Sequence, residues 1–85
     1  MREIASERSR RYVEMTTSSL KRLKMKKMPA TVEESRVEHV LEMVRGYVSD
    51  AKHYAKIRKP VTSLACVSYA EGLLDAMKFL ELAEF

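Results

Sequence analysis

The chain reads as an all-α fold, an antiparallel up-down-up three-helix bundle, on three observations. Apolar residues recur at spacings of three and four over most of its length, the period of one helix face. Only two glycines and two prolines punctuate 85 residues, so the turns are few and the elements long. No stretch alternates apolar with polar residues in the manner of a half-buried strand, and no strand is expected.

The first helix is placed at about residues 3–27. Ala5, Tyr12, Val13, Thr16, Leu20 and Leu23 form a narrow stripe on an otherwise polar segment, which makes this helix the lid of the bundle. Pro29 breaks the chain, and Thr31-x-x-Glu34 offers a capping box for the second helix, about residues 32–58. Its stripe runs through Val37, Val40, Leu41, Val44, Tyr47, Val48, Ala51, Tyr54 and Ala55. Glu38, Glu42, Arg45, Ser49, Lys52 and Lys56 hold the opposite face.

The third helix, about residues 60–83, starts at Pro60, whose missing N–H is not needed in a first turn. Its densest stripe is Tyr69, Leu73, Ala76 and Leu80, flanked by Cys66 and Met77. Leu64, Val67, Leu74 and Leu82 spread onto other faces, so this helix is apolar on most sides and should touch two neighbours. Leu64, Val67 and Leu74 either pack against the first helix or form an exposed strip for a partner. Linkers of about three or four residues make successive helices antiparallel.

Residues 1–85 make one domain, of a size that buries only about 60–65% of its unfolded surface. The single cysteine, Cys66, allows no internal disulfide, which fits a reducing cytoplasm. No apolar run is long enough for a transmembrane helix, and the charged start Met1-Arg2-Glu3 does not read as a signal peptide. The chain holds no asparagine and no glutamine while a third of it is charged, a composition expected of a thermophilic source. Its net charge of +4 is uneven. Residues 1–30 carry nine Lys/Arg against three Glu, and residues 31–85 carry seven against nine acids.

Few residues offer chemistry. Asp50 and Asp75 sit at the edges of apolar stripes, but on antiparallel helices their levels differ by roughly 11 Å. That is too far to share a metal or a proton, so hydrogen bonds from Tyr or Ser that fix helix register are the simpler expectation. His39 and His53 lie about 21 Å apart along one helix, and Asp50-x-x-His53 supplies only two ligands where a site needs three or four. Cys66 is expected on the core side as an inert thiol with a raised pKa. No catalytic residue, metal site or cofactor is therefore assigned. The run Lys21-Arg22-Leu23-Lys24-Met25-Lys26-Lys27 either complements the dipole at a helix C-terminus or tracks phosphates together with Arg8, Arg10 and Arg11.

A resemblance emerges between residues 47 and 76. Tyr47, Asp50, Ala51, His53 and Tyr54 on one helix, then Ser68, Tyr69, Ala70, Gly72, Leu73, Leu74, Asp75 and Ala76 on the next, are similar to the signature of the archaeal family known as domain of unknown function 357. The resemblance implies a small three-helix bundle and marks Tyr47, Asp50, Tyr54, Tyr69, Gly72 and Asp75 as structural or binding residues. It departs from the family at the turn, where Gly-Asp is usual and Arg58-Lys59-Pro60 stands here, and at His53, which replaces an aromatic. The family's own function is unsettled.

Two functions fit these observations. A non-enzymatic protein-interaction or regulatory module would dock a helix face onto another protein or onto a second copy, as a monomer or homodimer, away from membranes. A nucleic-acid accessory domain would bind phosphates through Lys21, Arg22, Lys24, Lys26 and Lys27 of the basic first helix.

Overall fold

A computed structural model of the chain describes residues 4–85. Three helices pack against one another in a bundle about 45 Å long: α1 (Ala5–Arg22), α2 (Glu34–Lys56) and α3 (Pro60–Phe79). The most extensive packing is between α2 and α3, then α1 against α3, and α1 lies most loosely on α2. The expected all-α three-helix bundle is the observed fold.

The core is built on α2 as its periodicity requires. Val37, Leu41, Val44, Val48 and Ala51 are buried, while Val40, Tyr47 and Tyr54 are half-buried at its edge. Each fully buried Val or Leu contributes roughly 1.5–3 kcal/mol of apolar transfer. The capping box does not form. Glu33 is the N-cap and makes no side-chain bond there, because Pro29 to Val32 close a turn of their own, Val32 N–H to Pro29 C=O at 3.0 Å.

On α3 the structure corrects the expected stripe. The buried line is Ser63, Val67, Ala70, Leu74 and Met77, whereas Tyr69, Ala76 and Leu80 are exposed and Leu73 is half-buried. Leu64, Val67 and Leu74 are the residues that pack inward, with Leu64 half-buried at the margin. The reason lies in the small residues where three helices meet. Ser63 Oγ donates to the Ala51 carbonyl at 2.6 Å. Its one hydrogen thus spent, it accepts from Ser9 Oγ on α1. Ser9 is 1% exposed and Ser63 and Ala51 wholly buried, so this chain of hydroxyls ties α1, α3 and α2 at close range and fixes which way α3 faces.

The C-terminal ends of α1 and α3 differ from expectation, whereas α3 starts at Pro60 as expected; the start expected for the first helix at residue 3 lies outside the described residues. α1 stops at Arg22 rather than Lys27 because Leu23 takes an extended conformation that turns it, and then Met28 and Val32, onto the core. Lys24–Met25 (β1) pairs antiparallel with Ala83–Glu84 (β2), Lys24 opposite Glu84 and Met25 opposite Ala83, and Lys26 N–H bonds Leu82 C=O at 3.0 Å. This two-residue ladder is the strand the sequence did not signal. It lengthens the α1–α2 connection to residues 23–33, well beyond the expected three or four, while the α2–α3 turn spans 57–59.

α3 ends at Phe79, not at residue 83. α2 and α3 both close with the same six-residue cap. Lys59 N–H bonds Tyr54 C=O and Arg58 N–H bonds Ala55 C=O; Leu82 N–H bonds Met77 C=O and Glu81 N–H bonds Lys78 C=O. The left-handed position of each cap is held by a residue other than glycine, Arg58 at φ 61° and Glu81 at φ 59°.

Candidate functional site

Among the described residues no three His, Cys, Asp or Glu side chains gather in one place, and no helix is long and apolar enough to cross a membrane. Asp50 and Asp75 are both exposed, on different flanks of the bundle, with no hydrogen bond or ion pair among the described residues. They do not fix helix register; the Ser9–Ser63–Ala51 chain does that. His39 and His53 are exposed on α2. His53 meets the half-buried Tyr54 ring edge-on at 5.3 Å.

What the structure does bring together lies on the side of α2 and α3 turned away from α1. Tyr47 and Tyr69 pack their rings at 4.6 Å and 46°. Beyond them a groove of about 210 Å³ opens between the helices, with Val40, Leu73, Ala76 and Leu80 in its walls and Arg36 at its rim. Down the outside of α3 run Val61, Ala65, Tyr69, Gly72, Ala76, Phe79 and Leu80, all exposed and none charged. Val61 is 71%, Phe79 80% and Leu80 68% exposed. Protein surfaces rarely leave so continuous an apolar strip open without a use for it.

Two further features belong to this face. Cys66 is half-buried there rather than in the core, and its pKa is raised, first by burial and then by the Asp50 carboxylate nearby. Gly72 is exposed in mid-helix, and a Cβ added to it would meet nothing within 4 Å. A helical glycine costs about 1 kcal/mol relative to alanine, and no contact within the bundle calls for this one.

The basic run is divided by the end of α1. Lys21 and Arg22 close the helix, Lys24 lies in β1, and Lys26 and Lys27 follow in the connection, all exposed. Lys21, Arg22 and Lys24 line an open hollow of about 620 Å³ with Leu23, Glu84 and Phe85. Arg22 donates to Ser18 at 2.6 Å, and the four lysines have no ion pair among the described residues.

Periodicity pointed at Tyr69, Leu73, Ala76 and Leu80 as a group but assigned them to the core. Phe79 and Val61 were not singled out at all. The signal that separates the two stripes is Ser63, a small residue in line with Val67, Ala70 and Leu74 where helices cross closely.

No curated protein and no solved structure matches this chain. Residues 11–83, nearly the whole of it, match the family described as a protein of unknown function, DUF357. The tyrosine pair, Gly72 and the helical hairpin that carries them all fall inside that match, and the chain belongs to the DUF357 family.

Proposed function

We propose that this domain is a non-enzymatic protein-interaction module that docks through the outer face of α2 and α3. One observation carries the reading: the uncharged, exposed strip from Val61 to Leu80, continuous with the Tyr47–Tyr69 pair and the groove beside Leu73. Helix-face docking needs rigid aromatic and aliphatic anchors on a regular element, and this face supplies both. Asp50, Asp75, His39 and His53 do not support an enzyme reading, being exposed and separate, with no shared pocket among the described residues.

The test is capture from a lysate of the source organism by the wild-type chain and by Tyr69→Lys/Leu80→Lys, with nuclease present. A stoichiometric protein held by the wild type and lost by the variant is the expected result. Equal capture by both would overturn the reading.

A second reading rests on a different observation, the cluster of Lys21, Lys24, Lys26 and Lys27 without ion-pair partners among the described residues, beside the open hollow at Phe85. A nucleic-acid accessory domain using this end would lose affinity steeply with salt. Neutralising Lys21, Arg22, Lys24, Lys26 and Lys27 together would abolish that binding, measured by fluorescence anisotropy of a short labelled duplex.

A further inference from the structure

We infer that the outer face of α2 and α3 is covered by a second copy of this chain, packed antiparallel about a two-fold axis that passes beside Met43 and Gly72. The inference rests on the reading of that face as a docking surface and names its occupant.

The register between the helices comes first. The Tyr47–Tyr69 ring contact and the Ser63–Ala51 hydrogen bond put Met43 of α2 level with Gly72 and Leu73 of α3. Around Met43 the charges of this face are self-complementary. Arg36 and Asp50 each lie seven residues from Met43, one on either side. Seven residues are two helical turns, about 10 Å along the axis and nearly the same face. Both side chains are exposed, and Asp50 has no ion-pair partner among the described residues. Arg36 has only Glu33 on its own helix at 3.5 Å, both groups well solvated. An antiparallel copy centred on Met43 sets Arg36 of each chain against Asp50 of the other, twice.

Shape agrees with charge at the same centre. On α3, Tyr69 and Ala76 stand at equal distances from the point between Gly72 and Leu73, and so do Leu80 and Ala65. A two-fold there lays each large side chain over a small one, which is the self-matching an isologous interface needs. Gly72 sits at the axis itself. Its missing side chain, unexplained inside one bundle, leaves room for the two α3 helices to approach closely.

Sedimentation velocity tests this directly. The wild-type chain should be a dimer at tens of micromolar, a concentration range typical of modest helix-face interfaces. Arg36→Asp and Asp50→Arg should each weaken the dimer by about tenfold or more, since each reversal creates two like-charge contacts. The double variant Arg36→Asp/Asp50→Arg should restore it. Gly72→Leu should give a monomer with a melting temperature at least that of a wild-type monomer, so the loss cannot be put down to unfolding. A wild-type chain that stays monomeric to 1 mM, on the order of the weakest specific association, overturns the inference. So does a dimer indifferent to the single charge reversals. The docking reading has its own fate: a monomeric wild type that still captures a protein lost on Tyr69→Lys/Leu80→Lys leaves it standing, whereas equal capture removes it.

Discussion

The two sides of α3 are both rich in apolar residues, yet only one of them is buried within the bundle. On the inner side, the buried hydroxyls of Ser9, Thr16 and Ser63, at 1%, 2% and 0% exposure, stand beside the buried Val67, Ala70, Leu74 and Met77. Where α3 meets solvent, the surface is Val61, Tyr69, Phe79 and Leu80. Close helix approach, as well as hydrophobicity, therefore chose the inner side. Small residues let three backbones close in, with Ser9, Ser63 and Ala51 joined by hydrogen bonds, and Val61, Tyr69, Phe79 and Leu80 are left outside for something else to cover.

Truncating one leucine on each side of α3 should give very different losses of stability. Leu74 is 2% exposed in the core cluster, and Leu74→Ala should cost about 3 kcal/mol. In a domain of this size that lowers Tm by roughly 15 °C. Leu80, at 68% exposure, should change Tm of the monomer by no more than about 2 °C when cut to alanine. Equal losses at the two positions would mean that the stripe through Tyr69 and Leu80 is core after all.

The hydroxyls on the inner side should themselves differ in sign. Ser63→Ala removes the second donor to the Ala51 carbonyl, which keeps its helical bond, and leaves the buried Ser9 hydroxyl without its partner, at a cost of about 2 kcal/mol. Thr16 is equally buried, but its hydroxyl has no hydrogen-bond partner among the described residues. Thr16→Val keeps the shape and removes the orphaned group, for a gain of about 1 kcal/mol. Urea titrations of the two variants should therefore shift in opposite directions.

How far the sequence discloses this molecule depends on which helix is read. On α2 the polar face is crowded with Glu38, Glu42, Arg45 and Lys52, so periodicity has only one side left to bury, and Val37 to Ala51 follow. On α3 apolar residues surround the axis, and a period of 3.6 selects a line without selecting its direction. Ser63 and Ser9 made that choice through contacts 54 residues apart, invisible to any local pattern. The two-residue β1–β2 ladder was equally hidden, being shorter than any alternation that could announce it. At the candidate site, the tyrosines and Gly72 were legible through the family resemblance, but their exposure was not.

The caps at Arg58 and Glu81 sharpen the comparison from the ends of the helices. Both residues hold a left-handed conformation that costs a side chain about 1 kcal/mol and glycine little. Arg58→Gly places at this turn the residue type that adopts the left-handed conformation most readily. It should gain roughly 0.5–1 kcal/mol, and Glu81→Gly a similar amount, read as rises of a few degrees in Tm. Neither change touches the outer strip, so both should leave its binding unaltered.

The smallest effect concerns Cys66, which sits where the hidden side of α3 turns into the exposed one. Burial raises the pKa of the thiol and the Asp50 carboxylate raises it further, because each disfavours the negative thiolate. Fewer thiolates at a given pH mean slower alkylation, so the rate of reaction with iodoacetamide should rise through a midpoint above that of an unhindered cysteine. Asp50→Asn takes away the charge and keeps the burial. The midpoint should then move down, yet remain above the ordinary value. A midpoint that does not move at all would show that Asp50 does not face the thiol, and would take Asp50 off the α2–α3 face where its pairing with Arg36 is placed.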